Sequence, residues 1–207
     1  SSGNYSTNGT LVSAFCINYY KQTKTPVVGV SCAWGGSSTG AWLNQGLVTK
    51  TQKAVKQAKK HLKKNKVKVR HIYMVWYQGE ADALQGTSAE TYISRMKKIY
   101  KKMKEVGVEK IFMIRIGHNM SNPYKDYKIM EAQENLCSAN KNFVLVSKKA
   151  ANYKDVSYYY YYDTIHLNQR ALNEVGYEAG KNAGKYVKKT NIVKMLEEAR
   201  LKLQQSR

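Results

Sequence analysis

Short apolar runs alternate with helix-like segments along this chain, and this alternation limits the folds that it can adopt. Residues 68–77, 110–116 and 143–147 are rich in β-branched, aromatic and other apolar side chains, a pattern typical of buried strands. Helix-like segments separate these runs. Strands that alternate with helices predict an α/β fold, in which a parallel sheet is covered by helices on both faces.

The helix-like segments have apolar residues at the spacing of one helix face. They are residues 11–22, 48–64, 88–106, 123–139, 167–188 and 193–205. The helix over 167–188 is expected to break or taper between Gly176 and Gly184. Residues 26–31 form one more strand-like run, and a glycine-rich loop over 32–43 follows it.

Composition indicates one globular domain with a basic surface. The chain has 207 residues, of which 43% are hydrophobic, so we expect one domain over 1–188 and a basic helical tail over 189–207. The formal net charge of +21 makes nucleic acid, anionic membrane and acidic polymers conceivable partners. The basic residues, however, alternate with apolar ones at helical spacing. Solvated helix faces therefore explain them, and nucleic acid is not an expected partner.

Other residue patterns narrow the chemistry further. Cys16, Cys32 and Cys137 are odd in number and lie among apolar residues, which favours buried free thiols over a disulfide framework. Their spacing is not that of a metal site. No metal and no organic cofactor is expected. No apolar run is long enough to span a membrane.

Polar motifs follow three of the strand-like runs. Gly35, Gly36 and Ser37 come after the run at 26–31, Gln78, Glu80 and Asp82 after the run at 68–77, and His118 after the run at 110–116. The carboxyl ends of parallel strands meet at one edge of a sheet, where α/β proteins bind their ligands. These motifs are therefore expected to lie close together.

A fourth motif contains the acid–base pair of a hydrolase. Asp163 precedes His166 by three residues, so one short turn can bring the carboxylate to the imidazole. Such a carboxylate fixes the histidine tautomer and stabilises the imidazolium that forms when the ring accepts a proton. A surface turn or a helix cap would explain the same spacing.

Three blocks resemble the sialate O-acetylesterase-like branch of the SGNH hydrolases, which are carbohydrate esterases. The blocks are residues 34–37 (WGGS) with Trp42 downstream, residues 76–82 (WYQGEAD) and residues 163–169 (DTIHLNQ). Glu131, Ala132 and Gln133 also resemble the helix that this branch has between its last two strands. The resemblance implies a flavodoxin-like three-layer α/β/α sandwich, and it implies hydrolysis of acetyl esters on sugars by a serine, a histidine and an aspartate.

The resemblance also implies roles for individual residues. His166 would be the general base with Asp163 as its partner, and Gly36 would contribute a backbone N–H to the oxyanion hole. Gln78 is the candidate side-chain donor. Trp34, Ser37, Glu80 and His118 are candidates for lining the site. An acetylated carbohydrate is the expected partner, and an extracellular or cell-surface location is the expected setting.

The nucleophile is where the sequence departs from the family pattern. That pattern has a GQSN-type block after the first strand, upstream of the Gly-Gly loop, and this chain contains neither the block nor that strand. A missing segment, in the same protein or in a separate N-terminal chain, would supply both. Ser38 is an alternative, because residues 36–40 fit the G-x-S-x-G pattern.

Two other functions remain open from the sequence. One is a non-catalytic SGNH-like module that binds polyanions or glycans, which the charge and the absent serine favour. The other is an esterase that acts on an acyl ester outside carbohydrates.

Overall fold

The computed structural model describes residues 9–153, 160–161 and 163–205, and it contains a small parallel sheet between helices. In chain order the elements are α1 (Val12–Thr23), α2 (Thr39–Asn44), α3 (Leu47–Lys64), β1 (Tyr73–Trp76), α4 (Glu80–Leu84), α5 (Ala89–Lys104), β2 (Lys110–Ile114), α6 (Tyr127–Ala139), β3 (Phe143–Ser147) and α7 (Gln169–Gln205). Turns of 3-10 helix cover Pro123–Lys125 and Lys149–Asn152.

The sheet has the order β1-β2-β3, and both pairings are parallel. In the register, Tyr73 lies opposite Lys110, and Ile111 lies opposite Phe143. The central strand β2 sends alternate side chains to opposite faces, as the twofold period of a strand requires. Ile111 and Met113 belong to one core cluster, whereas Phe112 and Ile114 belong to the other.

Each core cluster lies between the sheet and one layer of helices. Residues of α3, α5 and α6 pack in the first cluster, and residues of α1 and α7 pack in the second. Helices on both faces leave four of the five residues of the middle strand, Ile111 to Ile114, fully buried, which is the usual environment of a parallel strand. The predicted α/β/α sandwich is therefore confirmed, as are the residue bounds of β3.

The predicted break in the last helix is wrong, because α7 is continuous from Gln169 to Gln205. The glycines of this helix serve to bring it close to α1. A Cβ on Gly180 would lie only 2.3 Å from the carbonyl oxygen of Phe15, and one on Gly176 would lie 2.6 Å from that of Leu11. Packing between the two helices outweighs the low helix propensity of glycine, so these glycines mark a contact between helices and not a helix end.

The predicted strand over 26–31 is also wrong, since these residues have no regular secondary structure. Their backbone lies along α1, where a Cβ on Gly29 would be 3.0 Å from the side chain of Val12, and Val28 is 60% exposed. A strand requires a neighbouring strand to pair with. In the part of the chain that the structure describes, β1 pairs with β2 alone, and residues 26–31 have no strand partner.

Three further elements differ from expectation in extent. The strand expected over 68–77 is limited to Tyr73–Trp76, and three of its four residues are only partly buried. Two short helices, α2 and α4, begin inside segments that were expected to be loops. Segments this short carry too few residues to show a helical period in the sequence.

Candidate functional site

Asp82 is the centre of a buried hydrogen-bond network between two loops. It lies in α4 and has no exposed surface. Its Oδ2 accepts from the Thr39 backbone N–H at 2.7 Å and from Gln78 Nε2 at 2.7 Å, while its Oδ1 accepts from the Thr39 hydroxyl at 2.6 Å. Arg95 Nη1 lies 3.7 Å from Oδ1 and provides a compensating charge. The loop that begins α2 is thereby fixed to the loop that follows β1.

Gln78 extends this link to the glycine turn. Its Nε2 donates to the Ser37 carbonyl at 3.0 Å as well as to Asp82, so both amide hydrogens are engaged. Its Oε1 is buried and has no hydrogen-bond partner among the described residues. Gln78 therefore lies beside the Gly36–Ser37 turn and holds that turn in position. Its role as an oxyanion donor stays a prediction.

Two residues that the sequence did not assign to the site support Gln78 from behind. Gln133 of α6 is fully buried and donates from Nε2 to the Gln78 carbonyl at 2.8 Å. The Tyr92 hydroxyl donates to the same carbonyl at 3.1 Å. Gln133 also accepts from the Ile116 N–H at 3.0 Å, which links the ends of β1 and β2. The resemblance of residues 131–133 to the family helix was the only sequence signal for this role.

The glycine turn presents its backbone on the surface. Gly36 has φ +68°, a left-handed conformation that glycine adopts without strain, and open space surrounds the position of its absent Cβ. The Ser37 hydroxyl donates to the Trp34 carbonyl at 2.6 Å and accepts from the Trp42 indole N–H at 2.9 Å. The hydroxyl of Ser37 is therefore structural in this conformation, and the backbone is the part of the turn that can face a ligand.

Ser38 and Trp34 lie next to this turn in the chain and differ in exposure. Ser38 caps α2, because its hydroxyl accepts from the Ala41 N–H at 3.3 Å, and it is almost fully buried. Trp34 is about half-exposed, with Lys50 Nζ 4.4 Å from the centre of its ring. A role for Trp34 in lining the site stays a prediction.

Asp163 and His166 form the contact that their spacing predicted. His166 Nδ1 lies 2.7 Å from Asp163 Oδ2, and Asp163 Oδ1 accepts from the backbone N–H groups of His166 and Ile165 at 2.6 and 2.7 Å. Burial tends to raise the pKa of Asp163, but these hydrogen bonds and His166 outweigh it, so the pKa lies below its usual value. Asp163 is therefore an anion when it contacts the imidazole. The two side chains are 45% and 63% exposed, respectively.

The Asp163–His166 turn interacts electrostatically with Glu80 and is hydrogen-bonded to the loop that follows β2. Burial raises the pKa of Glu80, the carboxylate of Asp126 raises it further, and His166 lowers it. His166 is thus within electrostatic range of a residue two positions from Gln78. The Met120 N–H also donates to the Thr164 carbonyl at 2.9 Å, which ties the turn to the loop after β2. The polar motifs therefore converge at the carboxyl edge of the sheet.

His118 lies in that same loop, at the side of the site. Its ring centre is 5.3 Å from that of Tyr127, and its Nδ1 is buried without a hydrogen-bond partner in the described ranges. Burial raises the pKa of the neighbouring Asp126, whereas the Asn119 N–H and His118 lower it. A role for His118 in lining the site stays a prediction.

The arrangement is suited to acyl transfer, and the described residues do not include a metal-binding group. No cluster of three or more His, Cys, Asp or Glu residues occurs among them. The three cysteines are free and partly buried, and burial raises the pKa of each thiol. At the carboxyl edge of the sheet the site has an imidazole oriented by a carboxylate and a glycine backbone held by a buried network.

Comparison with known proteins agrees with this chemistry. The family model described as "carbohydrate esterase, sialic acid-specific acetylesterase" matches residues 7–185, which include every polar motif of the site. No curated protein matches the chain significantly. The motif order, the parallel sheet and this match together show that the chain belongs to the sialic acid-specific acetylesterase family of carbohydrate esterases.

Proposed function

We propose that this chain forms the acid–base and oxyanion part of a serine esterase that removes O-acetyl groups from sugars. The observation that carries the proposal is the 2.7 Å contact between His166 Nδ1 and Asp163, in a turn that the Met120 N–H joins to the loop after β2. A carboxylate on Nδ1 leaves Nε2 of the neutral ring as the proton acceptor. The family match supports an acetylated carbohydrate as the substrate.

The proposed reaction is a two-step acyl transfer. A serine hydroxyl attacks the acetyl carbonyl while His166 accepts its proton, and His166 then protonates the departing sugar oxygen. Water, deprotonated by the same histidine, attacks the acyl-enzyme, and His166 returns this proton to the serine oxygen as the ester bond breaks and acetate leaves. The Gly36 N–H is the proposed backbone donor to the oxyanion. Gln78 would join it by exchanging its bond to the Ser37 carbonyl for one to the oxyanion.

The nucleophile is proposed to come from an additional strand upstream of, or separate from, these residues. The edge of β1 opposite β2 supports this, because no strand among the described residues pairs with it and a parallel strand added there would end beside Gln78. The buried, unpartnered Gln78 Oε1 provides an acceptor for a donor group at that position. Ser38 is less suited to be the nucleophile, since its buried hydroxyl caps α2.

Acetate release from an O-acetylated sialic acid tests the proposal. The full-length encoded protein should release acetate, and residues 1–207 alone should not. Turnover by residues 1–207 alone that Ser38→Ala abolishes would instead identify Ser38 as the nucleophile. p-Nitrophenyl acetate serves as a second substrate, because an esterase specific for other acyl esters would cleave it and leave the acetylated sugar intact.

The second candidate function is a non-catalytic module that binds polyanions, and the net charge of +21 favours it. Binding of this kind weakens steeply with salt, since it depends on the release of counterions. If the full-length protein releases no acetate but binds heparin with a steep salt dependence, the binding module is the better account.

A further inference from the structure

The last part of α7 extends beyond the body of the protein. Up to Val187 the helix buries small and β-branched residues in the second core cluster, among them Ala171, Val175, Ala179 and Ala183. From Asn191 to Gln205 every residue whose side chain the structure describes is exposed. A helical segment as short as residues 191–205 is only marginally stable in water without a packing partner. Contact with a surface would therefore stabilise it.

This segment, residues 191–205, has an apolar stripe on one side. At about 100° per residue, Ile192, Met195, Leu196 and Ala199 fall within an arc of about 100°. Met195 and Leu196 are 69% and 66% exposed, which is unusual for large apolar side chains. The stripe is therefore continuous over two helical turns and open to solvent.

Two cations flank the stripe. Lys202 and Arg200 lie about 70° and 90° from its centre on opposite sides, whereas Glu198 lies about 110° away and Glu197 and Lys194 lie about 150° away. Lysines and arginines on the polar face, beside an apolar one, are typical of helices that lie in the interface of an anionic membrane.

The same charges argue against a second copy of the chain as the partner. If the stripe were the seam of a two-helix coiled coil, Arg200 and Lys202 would occupy the positions beside that seam. Two identical helices would then bring cations close to cations. The net charge of +21 also attracts the whole protein to an extended anionic surface. A single acidic helix would contact fewer of these positive charges.

We propose that residues 191–205 bind the headgroup region of an anionic lipid bilayer, with the stripe of Ile192, Met195, Leu196 and Ala199 facing the acyl chains. No described helix is long and apolar enough to cross a membrane. In this proposal the segment lies parallel to the surface of one leaflet, because its apolar stripe runs along one side of the helix. This binding is independent of the esterase activity and is measurable without substrate.

Co-sedimentation with vesicles tests the proposal. Vesicles of phosphatidylcholine with about one-third phosphatidylglycerol should bind the full chain, and pure phosphatidylcholine vesicles should bind it much more weakly. Leu196→Glu should weaken binding by at least about tenfold. It removes a leucine that the bilayer would bury, and it adds a negative charge at the interface. The parent chain and the Leu196→Glu variant should give the same circular dichroism spectrum when no vesicles are present.

Leu201→Glu is the matched control, because Leu201 is also exposed but lies on the opposite side of the helix. This variant should keep vesicle affinity within about twofold of the parent chain, since the change stays in solvent. Equal losses in the two variants, or no loss in either, would show that bulk charge alone causes binding and would overturn the proposal. A dimer in sedimentation equilibrium without lipid that Leu196→Glu dissociates would also overturn it.

Discussion

The two sides of the candidate site are built in different ways. On one side, Asp82, Gln78 and Thr39 form a network in which the carboxylate is fully buried and accepts three hydrogen bonds. On the other side, Asp163 and His166 are largely exposed and held by one turn. The first side is therefore fixed by the fold, whereas the second depends on local contacts. Substitutions should affect mainly stability on the first side and mainly chemistry on the second.

The largest expected effect is the loss of turnover in His166→Ala. In the full-length protein this change should reduce acetate release by at least about a hundredfold, because it removes the proposed general base. Stability should be nearly unchanged, since the side chain is 63% exposed. His61→Ala is the matched control, because His61 is exposed on α3, away from the motifs. Equal turnover in the two variants would remove His166 from the reaction.

Asp163→Asn should have a smaller effect on turnover, roughly tenfold to a hundredfold. An amide can still accept a hydrogen bond from the imidazole but does not stabilise the imidazolium as a carboxylate does. The free energy of unfolding should fall by less than about 1 kcal/mol, because the group is exposed to solvent. Kinetics of acetate release and denaturant titration of the same preparation separate the two quantities.

The same chemical change on the other side, Asp82→Asn, should act mainly on stability. With its oxygen toward the Thr39 and Gln78 N–H groups, the new amide keeps these two bonds and can donate to the Thr39 hydroxyl, but it loses the negative charge that strengthens all three bonds and faces Arg95. The loss of this buried charge should cost about 2 kcal/mol, because hydrogen bonds to a charged group are about twice as strong as neutral ones. Urea titration measures it. A loss no larger than that of Asp163→Asn would contradict the distinction between the two sides.

Glu80→Gln should give the smallest effect, and the effect should depend on pH. The pKa of Glu80 is raised by burial, so its ionisation in the folded protein costs stability as pH rises from the unfolded-state pKa through the raised folded-state pKa. The variant avoids this cost. Its Tm should exceed the parent's by roughly a few degrees at neutral pH and should match it in acid, where Glu80 is protonated in both states. A constant difference across pH would rule out this origin.

The sequence predicted best what depends on neighbours in the chain. Asp163 and His166 are three residues apart, so their contact follows from one turn. The helix periods of α3 and α5 and the apolar run of β3 likewise place most of their residues correctly. These features are local, and tertiary packing reinforces them.

What the sequence did not predict depends on distant partners. Residues 26–31 have a strand-like composition, but pairing requires another strand, and no local pattern reports whether one is present. Gly180 resembles a helix breaker until the close approach of α1 is known. The support of the Gln78 carbonyl by Gln133 and Tyr92 joins residues far apart in the chain, so only the fold brings them together.

The central claim is that His166 acts as the proton acceptor, and imidazole rescue tests it most directly. Imidazole added to the full-length His166→Ala variant should restore part of the acetate release from O-acetylated sialic acid, in proportion to its concentration, because it replaces the missing base. The His61→Ala control should not respond. An inactive His166→Ala variant that imidazole fails to rescue, or one that retains full turnover, would contradict the assignment of His166 as the general base.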